Sequence, residues 1–197
     1  MLPDYYYHIF ISYSRLGDVP GWVHTHFLPV LTNRMDAVWN ESPQIFIDQK
    51  IDVGSDWPED LANALHHSCC MLAIWSPSFF RSKWCMAEWE TMLAREQQTG
   101  LRSRGHTMGL VYPVVFSDGE YFPEAAKRTQ SKFDLKDYTY PYPQFRNTPE
   151  YLKFHDKMTE VANGLVRLLQ EVPPWNAAWT VVRPPPNTLD EPRFKRL

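Results

Sequence analysis

Residues 54–90 read GSDWPEDLANALHHSCCMLAIWSPSFFRSKWCMAEWE, and their order of patterns decides the fold. Ser55 or Asp56 is placed to cap a helix, Pro58 suits its first turn, and Trp57, Leu61, Ala64 and Leu65 recur at helical spacing. Cys70 to Trp75 then forms a short apolar run, the pattern of a strand buried on both faces. Ser-Pro-Ser-Phe-Phe turns the chain toward Ser82, a cap for a helix from Lys83 to about Gln98. Helix, strand, turn and helix in this order describe a unit of a parallel α/β sheet.

The flanks repeat the unit. His8-Ile9-Phe10-Ile11-Ser12-Tyr13 reads as a buried strand closed by Ser14, Arg15 and Gly17. From Gly21 through Trp39, Trp22, Val23, Phe27, Val30 and Leu31 keep a helical rhythm that Pro29 interrupts. Ile45-Phe46-Ile47 is a second strand ending at Asp48. Gly109 to Phe116 is a further strand, in which Pro113 predicts an edge or a bulge. Residues 117–148 are polar, aromatic and proline-broken, with only short helices expected. Thr148-Pro149-Glu150 starts a last helix, whose apolar face runs from Tyr151 and Leu152 through Phe154, His155, Met158, Val161, Ala162, Leu165 and Leu168 to Leu169. The reading places a domain at 5–171 and a proline-rich tail or linker at 172–197. Pro184, Pro185 and Pro186 either begin a linker to a sensor domain or finish a stand-alone protein.

Composition narrows the function. The 197 residues are 44% hydrophobic and 22% charged, which fits one folded domain. Lys and Arg total 20 against 23 Asp and Glu, a formal charge of -3, so direct nucleic-acid or anionic-membrane partners are disfavoured. The three cysteines, Cys69, Cys70 and Cys85, match neither a metal spacing nor a disulfide framework. The first residues lack a leader pattern and no run reaches spanning length, so a cytoplasmic location is expected. Dinucleotide GxGxxG, phosphate-loop GxxxxGK[ST] and nucleophile-elbow GxSxG patterns are missing. His66 and His67 are adjacent, which suits helix-end histidines better than metal ligands.

In an open parallel sheet, ligands bind beyond the carboxyl ends of the strands. That rule selects Ser12, Tyr13, Ser14 and Arg15 after the first strand, Asp48 and the Gly54 loop after the second, and Ser76 after the third. On the next helix Trp84 and Glu88 lie one turn apart and share a face. Trp89 reads as a core anchor.

HIFISYSR at 8–15, PQIFID at 43–48, the stretch 54–90 with its SKWCMAEWE, and YPVVF at 112–116 together resemble a TIR (Toll/interleukin-1 receptor) domain of the bacterial type, over roughly residues 5–170. The resemblance implies a flavodoxin-like sheet of five parallel strands flanked by helices. It also implies cleavage of NAD at the nicotinamide-ribose bond, with NAD as substrate and no separate cofactor or metal. The catalytic glutamate of that family falls on Glu88 and its stacking aromatic on Trp84. Phe10 and Ser12 to Arg15 would flank the ligand, with Asp48, Trp57 and Ser76 as positional candidates. Homo-oligomers or filaments through TIR-TIR contacts, a sensor or partner protein, and antiviral defence are further implications. The competing expectation is a noncatalytic TIR-TIR scaffold. A phosphate-accepting receiver would need clustered acidic residues where the first strand ends instead in Ser12-Tyr13.

Overall fold

The computed structural model describes residues 4–47, 59–101, 109–117, 119–127 and 133–184. Five strands build its sheet: β1 (Tyr7–Tyr13), β2 (Ile45–Ile47), β3 (Ser68–Trp75), β4 (Val111–Val115) and β5 (Phe133–Asp134). Their spatial order is β2-β1-β3-β4-β5, and every pair is parallel. This is the doubly wound order of flavodoxin-like folds. The chain leaves β1 toward β2 on one side and returns to β3 on the other, so the carboxyl ends of β1 and β3 flank the switch in strand order.

Side-chain alternation divides the sheet into two faces. Phe10 pairs with Met71 and Ser12 with Ala73 on one face; Ile11 pairs with Leu72 and Tyr13 with Ile74 on the other. The helices α3 (Glu59–His66), α4 (Pro77–Arg81) and α5 (Lys83–Thr99) belong to the first face. The second is covered by α2 (Leu28–Val38) and α7 (Pro149–Gln170), which pack together. On α7, Phe154, Met158, Val161, Ala162, Leu165, Leu168 and Leu169 are buried. Burial of such Phe, Leu, Met and Val side chains contributes about 1.5–3 kcal/mol each. Leu152 departs from the expected face: it is 71% exposed, because two residues before Phe154 is nearly the opposite side of the helix.

Two prolines explain local irregularities. The helix after β1 starts as α1 (Val19–Trp22), widens into a π-helical turn at Val23–Phe27, and resumes as α2 just before Pro29. Pro29 has no N–H to give to the carbonyl four residues back. That carbonyl, on Thr25, instead accepts from Arg146 Nη2 at 2.7 Å. At Pro113 the sheet itself adapts. Met71 N–H donates to Leu110 and Phe116 N–H to Trp75, so even-numbered residues of β4 bond to β3 and the Pro113 nitrogen faces β5. β4 is an interior strand of the five, and Pro113 is accommodated there without costing β3 a hydrogen bond.

Between β4 and α7 the chain changes faces: Phe122, just before α6 (Glu124–Lys127), packs on Trp75 and Phe80 on the first face, and after β5, a two-residue strand that the sequence pattern alone does not expose, Tyr138 and Phe145 pack against the second. Buried Trp22 donates through Nε1 to the Tyr138 carbonyl at 2.7 Å and ties this stretch to α1. Residues 172–184 form neither helix nor strand and turn once, where Trp179 N–H donates to the Asn176 carbonyl, and Val172 and Trp179 are buried against the domain. The packed core therefore includes residues past the boundary drawn at 171.

Candidate active site

The phase of α5 decides which of its side chains reach the sheet. Ser82 caps it: its Oγ accepts from Cys85 N–H at 3.3 Å, and its carbonyl accepts from Met86 N–H. With the first turn fixed, Cys85, Glu88, Thr91, Met92 and Arg95 turn inward. Glu88 is 7% exposed, and the hydroxyl of Ser12 donates to its Oε2 at 2.5 Å. This bond joins residues 76 apart in sequence at the carboxyl end of β1, beside the switch in strand order. A carboxylate at this depth requires polar partners, and a hydroxyl that holds one oxygen fixes the orientation of the other. Trp84 stands one turn earlier on α5 and is half-buried.

The segment after β1 surrounds the same end of the strand. Tyr13 and Arg15 are half-buried, whereas Ser14 is buried and its Oγ accepts from Leu16 N–H at 3.2 Å. Gly17 then turns at φ +66, a left-handed conformation that glycine adopts without strain. Tyr13 Oη lies 2.8 Å from Nε2 of His24, an exposed residue on the π-helical turn. The structure thus brings Ser12, Tyr13, Ser14, Arg15, Trp84 and Glu88 to the carboxyl end of β1.

Phe10 and Ser76 have different surroundings. Phe10 is 1% exposed and stacks on Phe46 with ring centres 5.2 Å apart, two residues deeper in β1 than Ser12. Ser76 caps α4, accepting from Phe79 N–H at 3.2 Å and lying 2.9 Å from the Ser78 hydroxyl. Phe10 thus sits in the core, and Ser76 follows the carboxyl end of β3 directly. Asp48 and Trp57 lie outside the described residues. Trp89 is a core anchor, 5% exposed and edge-on to Trp75 and Phe80.

Sequence reasoning passes over two residues, His24 beside this site and Arg95 at the far end of α5. His24 carries no motif, and only the π-helical turn brings it to Tyr13. Arg95 does leave a signal, since it continues the inward stripe of Glu88 and Met92 as a charge in an apolar rhythm. It is 2% exposed, and burial lowers its pKa to about 10.

The family profile of the TIR domain matches residues 9–147, which span β1 through β5 and include Ser12, Trp84 and Glu88. The chain belongs to the TIR domain family. This TIR domain is similar in structure to the TIR domain of the Toll-related receptor TRR-2 from Hydra magnipapillata. Identity there is 18%, the coverage is 77% of this chain and 98% of the other, and the TM-score is 0.47. It is also similar to the TIR domains of the activated Roq1 resistosome directly recognizing the pathogen effector XopQ, at 18% identity, 80% and 84% coverage, and a TM-score of 0.39. No curated protein matches the chain in sequence. Among the described residues of the TIR domain, no helix is long and apolar enough to cross a membrane.

Proposed function

We propose that this TIR domain is an NAD glycohydrolase with Glu88 as its catalytic residue. The observation that carries the reading is the buried Glu88 carboxylate held by Ser12 at the carboxyl ends of β1 and β3, with Trp84 one turn away. The chemistry needs little more. The bond between the nicotinamide nitrogen and the ribosyl carbon breaks, and nicotinamide leaves with the electron pair, which neutralises its own cationic ring. Positive character remains on the ribosyl carbon, where a nearby carboxylate stabilises it directly or through the ribose hydroxyls. Water then adds to that carbon and releases a proton, giving ADP-ribose. If an adenine nitrogen attacks instead, the product is cyclic ADP-ribose.

Trp84 would stack on the flat base, and Arg15 would offer guanidinium donors to the diphosphate. Ser12 is assigned to Glu88 and Tyr13 and Ser14 to the rim, with Asp48 and Trp57 as further candidates for the substrate. The family resemblance extends the proposal to activation by self-assembly through TIR-TIR contacts, to a sensor domain or partner protein, and to antiviral defence inside the cytoplasm.

A second reading, a scaffold that binds other TIR domains, draws on the large side chains exposed at Tyr121, Tyr140, Tyr142 and Leu152. One experiment separates the two. NAD is incubated with wild-type protein and Glu88→Ala over a wide protein-concentration range, and mass spectrometry follows every product. Nicotinamide release that rises with assembly and vanishes in Glu88→Ala is the expected result. No release from demonstrably assembled wild-type protein would overturn the enzyme reading in favour of the scaffold.

A further inference from the structure

The segment following α7 is bound by side chains rather than by a strand ladder. Tyr5 Oη donates to the Pro173 carbonyl at 2.9 Å, Trp175 Nε1 to the His66 carbonyl at 3.2 Å, and His66 Nε2 to the Trp179 carbonyl at 3.0 Å. Val182 N–H donates to Thr91 Oγ1 at 2.9 Å, and Arg183 Nη2 reaches both carboxylate oxygens of Glu59. These contacts stretch residues 173–183 as a strap across α3 and α5.

Under the strap lies Arg95. Its guanidinium donates to the carbonyls of Ser68 at 2.8 Å, His66 at 3.2 Å and Leu65 at 3.3 Å, the groups where α3 ends and β3 begins. Carbonyls at a helix end lack partners within the helix, so a planar fork of donors fits them closely. The ring of Trp179 covers the guanidinium, with the Arg95 Cζ atom 4.2 Å from its centre. The next residue, Glu96, accepts from Val111 N–H at the start of β4 at 3.0 Å. The distal half of α5 is thereby fixed to two strands through adjacent buried charges.

A buried Arg is a costly way to fill space, because an apolar side chain of similar size would pack there without desolvating a charge. What the guanidinium adds is direction: it accepts only one position of α5 relative to the sheet. Glu88, Thr91 and Arg95 stand on one side of α5, three and seven residues apart, and Arg95 is about 10 Å along the helix from Glu88 at 1.5 Å per residue. A shift of α5 by a single residue rise would break the Arg95 contacts and the Ser12 to Glu88 bond together.

We infer that Arg95, clamped by the Trp179 strap, is a positioning residue that sets the register of α5 and so holds Glu88 against Ser12. The kinetic half of this inference rests on the proposed NAD cleavage; the structural half does not. Full-length Trp179→Ala opens the clamp, Trp179→Phe keeps an aromatic cover, and Arg95→Lys keeps the charge without the fork. Amide hydrogen exchange is followed along Lys83 to Met92, together with nicotinamide release.

In Trp179→Ala, exchange at residues 84–92 rises at least tenfold, and kcat falls at least fivefold with KM changed less than twofold. Trp179→Phe restores both, and Arg95→Lys follows Trp179→Ala. If exchange rises only in residues 172–184 of Trp179→Ala while residues 84–92 keep wild-type protection, the inference fails. If Trp179→Ala does not fold, Arg95→Lys with unchanged exchange at 84–92 overturns it and raised exchange supports it. A wild-type protein that releases no nicotinamide sinks the proposed function alone, since the exchange data still decide the clamp.

Discussion

Ser12 on β1 and Glu88 on α5 meet through a hydrogen bond from the Ser12 hydroxyl to Glu88 Oε2, and both side chains are buried. The pair exists because the two residues solve different local problems. Ser12 is the last residue of β1 on the face that receives α5, and Glu88 falls on the inward stripe set by the Ser82 cap.

Removing the hydroxyl tests what it does for the carboxylate. Ser12→Ala removes this donor from the buried Glu88 Oε2, a loss on the order of 1–3 kcal/mol. Nicotinamide release is expected to fall roughly tenfold or more, in line with that loss. Steady-state kinetics on Ser12→Ala beside Ser12→Thr, which keeps a hydroxyl, checks it; equal losses in both variants would assign the effect to packing.

Much of this arrangement is legible in the sequence because strands and helices announce themselves by period. β1, β2, β3, β4, α5 and α7 lie where runs and capping residues place them. The two-residue β5 is too short to carry a period, and only the TIR resemblance supplies a fifth strand. Pro113 predicts an edge or a bulge, yet β4 lies inside the sheet between β3 and β5, and the proline is tolerated because its nitrogen points away from the β3 ladder. At the site, helical spacing puts Trp84 and Glu88 on one face of α5, and only the TIR resemblance gives them roles. Ser12 follows from the strand-end rule, but its bond to Glu88 does not, because a contact across 76 residues is fixed by strand order rather than by local pattern. Arg95 and the strap are harder still, since proline-rich sequence indicates extended chain without indicating what it lies against.

Gly164 on α7 tests the packing of the second face. A Cβ built at this residue would collide with Tyr112 Oη and lie 2.9 Å from Cε2 of the same half-buried ring on β4. Gly164→Ala normally favours a helix, but here overpacking is expected to dominate and destabilise by about 1–3 kcal/mol. Denaturant unfolding measures it. Tyr112→Phe, which removes the nearest atom, should recover part of the loss in the Gly164→Ala background, so the two substitutions will not be additive.

The cysteines should be inert in the folded chain. Cys69, Cys70 and Cys85 are all buried, burial pushes the Cys69 thiol up to about 12, and the Cys70 thiol is also raised well above its usual range by burial. At pH 8 a thiol with pKa near 12 is thiolate in only about one molecule in ten thousand. Ellman's reagent at pH 8 is expected to react at the rate of unfolding, and with all three thiols at once in concentrated guanidinium. Rapid modification of the native chain would contradict this.

Four histidines set how stability responds to acid. His8, His26, His66 and His155 are all held below the ordinary imidazole value of 6.5, in each case first by burial. Neighbouring positive charge adds to this, from His67 and Arg95 at His66 and from Arg34 at His155, whereas Glu41 opposes it at His8. Hydrogen bonding explains why protonation is resisted. His8 Nδ1 accepts from Gln44 N–H at 2.8 Å, and His155 Nδ1 lies 2.7 Å from Arg34 Nη2, so a proton on either nitrogen would face another donor. His26 gives Nε2–H to the Tyr142 carbonyl and buries Nδ1 without a hydrogen-bond partner among the described residues. The unfolded chain therefore binds more protons than the folded one once the pH drops below about 6.5, and unfolding free energy must fall with pH there. Each proton so linked contributes a slope of up to about 1.4 kcal/mol per pH unit. Urea unfolding at pH 7.5, 6.5 and 5.5 should give a small loss of stability over the first step and a clearly larger one over the second. His26→Phe, which removes one of the four groups, should flatten the acid limb by up to one proton. A slope unchanged by that substitution would mean that His26 is protonated in the folded domain.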